Sequence, residues 1–140
     1  MITNPQRNRL AKFLYGGVED ANLAPAVFYV GLSTVAIPES GVISGEVTGG
    51  GYERIAIPNN TSNFSTPDAS NPGKVFNMNT FEWPESTESW GTIKTVFFTY
   101  SKTANEALYC VSVNREVPAY SIIYFKGDTT SGDLNFSINN

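Results

Sequence analysis

The sequence has no histidine and a single cysteine, Cys110. Without histidine there is no Ser-His-Asp or Cys-His nucleophile pair and no imidazole metal ligand. One cysteine permits neither an internal disulfide nor a cysteine-based zinc site. Charge is sparse: 9 basic and 13 acidic side chains give a net charge of −4, and charged residues make up 16% of the chain. The lysines and arginines are scattered, so the basic stripe that phosphate binding requires is missing and nucleic acid is not expected as a partner. No run approaches the roughly 18–20 apolar residues of a membrane span, and no membrane association is expected. The opening Met-Ile-Thr-Asn-Pro-Gln-Arg lacks the apolar stretch of a secretion signal, so synthesis in a cytoplasm is the expectation. In that setting the Asn-X-Ser/Thr triplets at Asn59, Asn60, Asn63 and Asn135 carry little meaning. What is present is 13 Ser, 13 Thr and 14 Asn in 140 residues, with 13% aromatics. A chain of this length suits one domain over residues 1–140, able to bury about two-thirds of its unfolded surface without a staple.

One helix is readable, within residues 1–17. Asn4 can cap it, Pro5 suits the first helical position, and Leu10, Phe13 and Leu14 recur at helical spacing. Gly16 and Gly17 stop it. Its polar face holds Arg7, Arg9 and Lys12, read as a solvated face on a helix that caps the core, with docking onto an acidic neighbour as the alternative. From residue 26 onward the chain reads as strands and loops. Candidate strands fall at 26–34, 52–58, 75–83, 92–101, 107–114, 119–126 and 133–138, separated by long polar loops at 35–51 and 59–74. Short strands with turn signals between them predict an all-β fold, a β-sandwich of jelly-roll type over 26–140 with the short N-terminal α-helix beside it. Two strands are apolar on both faces. Phe97 opposes Val96, Phe98 and Tyr100, while Tyr120, Ile122 and Tyr124 oppose Ile123 and Phe125. A strand in a two-sheet domain buries one face, so the second-face aromatics need a cover: the helix over one sheet, a neighbouring subunit over another.

Groups that could carry chemistry read more simply as structure. Glu82, Glu85 and Glu88 are the densest carboxylates, but Pro84 breaks any helix that would align them as a glycosidase pair. The stretch Asp128-Thr-Thr-Ser-Gly-Asp133 lacks the alternating ligands of a calcium loop and reads as a hairpin turn. Gly49, Gly50 and Gly51 precede a strand and no Gly-Lys-Ser/Thr, so they mark backbone at positive φ or a close approach to another chain, not a phosphate cradle. Cys110, among alternating apolar residues, is a buried structural thiol. Trp83 and Trp90 flank a turn and could form a sugar platform, though packing is the simpler role. No catalytic residue, cofactor or metal is expected.

Residues 10–17 (LAKFLYGG), 28–33 (FYVGLS), 49–57 (GGGYERIAI), 90–97 (WGTIKTVF) and 128–138 follow one another in the order of a known pattern. With its Gly-Gly-Gly-Tyr-x-Arg strand and its Trp-Gly-Thr strand, the chain resembles small bacteriophage virion proteins of the tail-fibre-like and minor tail kind. The resemblance implies a non-enzymatic structural protein located in the virion after synthesis in the host cytoplasm. Its expected partners are itself, as a homo-oligomer such as a trimer, and other virion proteins of tail, baseplate or capsid. The alternatives are a capsid decoration or cement protein at capsomer junctions and, from another class, a host-glycan-binding module using Tyr52, Trp83 and Trp90. The candidate interface comprises Leu10, Phe13, Gly49, Gly50, Gly51, Tyr52, Arg54, Trp83, Trp90, Phe97, Tyr120 and Tyr124. Arg54, amid apolar neighbours, should extend to a carboxylate or a carbonyl, in its own chain or across a subunit boundary.

Overall fold

The computed structural model describes residues 1–138. Among them run one helix, α1 (Asn4–Leu14), and eight strands: β1 (Val27–Ser33), β2 (Ile55–Pro58), β3 (Lys74–Phe76), β4 (Phe81–Glu82), β5 (Gly91–Thr99), β6 (Tyr109–Val117), β7 (Tyr124–Phe125) and β8 (Asn135–Ser137). The strands form a four-stranded antiparallel sheet in the order β2-β1-β5-β6 and two short antiparallel ladders, β3-β8 and β4-β7. The all-β expectation with one short helix is met. The sheets are unequal, however, and the paired sheets of a jelly roll are not laid out among the described residues. The last two residues of the 26–140 range lie outside them.

The core lies between the large sheet and the two ladders. Phe28, Val30 and Leu32 of β1 and Ile93, Val96 and Phe98 of β5 meet Phe81 of β4, Trp83 just after it, Phe125 of β7, and Leu134. Phe98 is its centre, with the rings of Phe28, Phe64, Phe81 and Phe136 all 5.3–6.4 Å away. Ile93 and Val96 are three residues apart and yet both point inward. A shift in the β5-β6 register between Ile93 and Thr95 restores the parity that strict alternation would break.

The expected strand 75–83 divides. Its alternation survives, with Asn77, Phe81 and Trp83 buried, but its hydrogen-bond partner changes from β8 to β7. Asn77 sits at the change. Its Nδ2 donates to the carbonyls of Asn79, Phe125 and Lys126, and its Oδ1 accepts from the Leu134 amide. One buried amide thereby ties the β3–β4 turn to both partner strands. The expected strand 119–126 shrinks to β7, because Tyr120 adopts φ 60° and the fully buried Ser86 holds the preceding turn through Pro118 and Ser121.

The helix differs most from expectation. It does not cover a sheet; Gln6 is its one buried residue. Thr3 occupies the N-cap, but its hydroxyl donates to the carbonyls of Ala107 and Leu108 instead of capping the helix. Residues 1–3 lie along the free edge of β6, with Ile2 opposite Tyr109, and the Met1 amine donates to the Cys110 carbonyl. Gln6 then donates to the Leu23 carbonyl and the Tyr109 hydroxyl, and Arg9 pairs with Glu106 at 2.7 Å and Asp20 at 3.4 Å. Polar contacts thus fix the first two turns and leave the last one standing clear.

Candidate functional site

The glycine motif and its neighbours form a latch inside the chain. Gly49, Gly50 and Gly51 have φ of 73°, 59° and 80°, three successive residues in the left-handed region that favours glycine. This path brings the Gly50 carbonyl to the Trp90 indole N–H at 3.0 Å and the Thr87 amide at 2.9 Å. A Cβ on Gly50 would lie 2.8 Å from the Trp90 nitrogen. Tyr52 follows, set edge-on to Trp90 with its hydroxyl donating to Glu46 Oε2 and accepting from the Leu32 amide. Burial and the nearby carboxylate hold the Tyr52 phenol above its ordinary pKa. Arg54 meets the same Glu46 with two nitrogens, at 2.9 and 2.8 Å, and donates to the Ser101 carbonyl. The expected carboxylate and carbonyl are both found, and both belong to the same chain.

Phe97 is covered in the same way. Its ring lies against Gly31, where a Cβ could not fit, under the Arg54 guanidinium 5.1 Å from its centre. Ile37 and Ile43 from the loop after β1, with Ala107 and Cys110, complete a second small core on this face of the sheet. The loop is tied down by Ser33 and Thr95, whose hydroxyls donate to the Ser44 and Val35 carbonyls. The second-face aromatic at Phe97 is therefore covered by its own chain, and neither the helix nor a neighbour is needed there. Trp83 and Trp90 are buried too, which removes the sugar platform they would have formed. Burial pushes the Cys110 thiol up to about 11.

Other candidate residues are on the surface. Phe13 is exposed at the free end of α1, with Leu10 half-buried below it, and Leu14, Tyr15 and Val18 extend the patch. At the other end of β6, Tyr120, Ile122 and Tyr124 are exposed along and before β7. Glu82 stands across from Tyr124 in the β4-β7 ladder, while Glu85 and Glu88 point to solvent in the following loop. The Asp128 carboxylate is used locally: it accepts from the Thr130 amide and hydroxyl, which hold its pKa low. Asp133 accepts from the Lys126 amide and faces Arg115 at 3.6 Å. Both carboxylates shape a turn, but not the expected hairpin: the flanking β7 and β8 pair with β4 and β3 and not with each other.

Sequence reasoning missed three features. Glu46, the anchor of the latch, lies in a loop with no pattern. Leu14 and Tyr15 were legible as the apolar residues directly before the Gly16-Gly17 stop. The third is an apolar groove of about 220 Å³ between β1, β5 and the β3-β8 ladder, lined by Phe28, Phe64, Val75, Phe98, Tyr109 and Phe136, with Leu23, Ala24 and Ile138 also lining it. It joins residues distant in sequence, so no local signal marks it.

No curated protein matches the sequence. Residues 2–128 match the family model described as Podophage GP4 fiber I protein gp80. The match takes in the resembling stretches from residue 10 to residue 97 and stops where the last, 128–138, begins. The chain belongs to this family of bacteriophage fibre proteins, and as a virion structural protein it has its place in the phage particle.

Proposed function

We propose that the chain works as one non-enzymatic domain in the phage tail fibre, associating with copies of itself and docking onto neighbouring virion proteins. The family match over nearly the whole chain carries this reading. The structure supports it by the kind of residue left outside: apolar side chains at both ends of β6, while the polar groups with unusual geometry are spent on internal latches. The fold then serves as a two-layer, sandwich-like support, with the large sheet as one layer and the ladders as the other. Cement function at capsomer junctions and host-glycan binding have no observation of their own in their favour.

The test is assembly. Particles made without this chain should lack fibres, or carry shortened ones, while heads fill normally. Heads that fall apart without it would place it in the capsid lattice and overturn the reading. Turnover on cell-wall or capsule glycans, lost in Glu82→Gln or Glu85→Gln, would overturn the non-enzymatic part.

A further inference from the structure

We infer that the outer face of the β4-β7 ladder docks onto a different virion protein, one that presents lysines or arginines around an apolar centre. The inference rests on the docking proposed above and names its surface and the chemistry of its occupant. Tyr120, Ile122 and Tyr124 are 76%, 50% and 50% exposed. Alternation with the buried Ile123 and Phe125 puts Ile122 and Tyr124 on the outer face of the ladder. Arg115 lies alongside, its guanidinium 4.8 Å from the centre of the Phe125 ring and bonded to the Tyr124 carbonyl. Exposed tyrosines beside an arginine are the composition of interface anchors.

The rim decides the partner. Glu82 stands opposite Tyr124 in the ladder, Glu116 lines one shallow hollow with Ile122 and Tyr124, and Glu85 comes directly before Ser86. All three carboxylates are exposed, and among the described residues none of them enters an ion pair. Arg115 is balanced by Asp133 at 3.6 Å, so of the cations beside the patch Lys126 alone offsets the three. An apolar centre with an uncompensated negative rim fits a surface of the opposite pattern. The same rim repels the phosphates of nucleic acid and of anionic lipid headgroups. It also disfavours a second copy, because a two-fold contact here would set Glu82 and Glu116 against their own images.

Folding and docking make opposite demands at residue 120. Its φ of 60° is a left-handed position that a bulky side chain rarely takes and that asparagine takes more readily. Ser86 fixes that path: its amide donates to the Ser121 carbonyl, its carbonyl accepts from the Tyr120 amide, and its buried hydroxyl donates to the Pro118 carbonyl. The fold thus holds an exposed tyrosine in a strained position beside the patch. Tyr120→Asn relieves the strain and removes the ring, so stability and attachment part company in that variant.

The experiment supplies the full chain and its variants during infection by phage that lacks its own copy, and counts the chain in purified particles by quantitative mass spectrometry. Tyr120→Asn, Ile122→Ser and Tyr124→Ser should each lower the copies per particle at least about tenfold, the loss expected of interface anchors. Thermal melts of the purified chains should show Tyr120→Asn at least as stable as the parent, which removes misfolding as the cause. Glu82→Lys/Glu116→Lys should lower incorporation as far, and Glu82→Gln/Glu116→Gln less. In particles carrying Tyr120→benzoylphenylalanine, light should link the chain to a peptide of another virion protein with lysine or arginine beside apolar residues. Incorporation of all three apolar-patch variants at the parent's level would overturn this surface and leave docking elsewhere on the chain standing. Lysine variants that incorporate like the parent, or a link only to another copy of this chain, would overturn the partner's chemistry. Absence of the parent chain itself from the particles would overturn the docking reading as well.

Discussion

Arg54 shows how a single residue anchors this fold. Its guanidinium is nearly buried, shared between Glu46, the Ser101 carbonyl and the face of Phe97. Arg54→Met keeps the apolar stem but strands Glu46, whose other partner is the Tyr52 hydroxyl. We expect a loss of about 2–4 kcal/mol in urea unfolding, since removing one partner of a largely buried pair leaves a charge unmatched. Adding Glu46→Gln should recover part of that loss, because the stranded charge is gone while an acceptor for Tyr52 remains. Equal stability of the single and double variants would contradict the role of the pair. The glycine motif separates in the same way. Gly49 has open space around its missing side chain, so Gly49→Ala should cost only the left-handed backbone, about 1–2 kcal/mol. Gly50→Ala pays that and must also displace the Trp90 indole, and its melting temperature should be the lower of the two. Cys110 gives a chemical readout. With its pKa raised to about 11 by burial, it should resist alkylation at pH 8 until the chain unfolds. The raised value also sets a sign: the unfolded thiol ionises first, so this group's contribution is intact below about pH 9 and is lost as pH rises through 11.

At the scale of elements, the strands that sequence patterning located are those whose partners lie along their whole length. β1 and β5 pair over five residues and carry apolar side chains on both faces, so composition alone marked them. The expectation failed at 75–83 and 119–126, where a side chain and not a ladder sets the path: Asn77 in the first, Ser86 with the positive-φ Tyr120 in the second. An asparagine in a strand pattern looks the same whether it faces water or three buried carbonyls. Asn77→Asp should therefore be severe, about 2–4 kcal/mol, because a carboxylate would face the carbonyls of Asn79, Phe125 and Lys126. Thermal melts of Asn77→Asp beside the exposed Asn79→Asp would check this, and equal melts would contradict it. The helix was legible in place and length, but its role was not. Leu10, Phe13 and Leu14 have the spacing of a buried stripe, and only the anchoring of Thr3, Gln6 and Arg9 shows that the stripe stands away from the core.

For the whole molecule, the candidate interface split into two classes that no sequence rule distinguishes. Tyr52, Arg54, Trp83, Trp90 and Phe97 turned inward because loops far away in sequence close over them, whereas Phe13, Tyr120 and Tyr124 stayed outside. The virion character was legible through the resemblance, and the structure joins its glycine motif and its Trp-Gly-Thr strand in one latch. A structural part of the phage fibre must be found in the fibre itself. A cryo-electron-microscopy map of the intact particle tests it most directly. Density for this fold is expected within a tail fibre, with the α1 tip and the β7 face against protein. Density for it in the capsid lattice, or none anywhere in the particle, would contradict the claim.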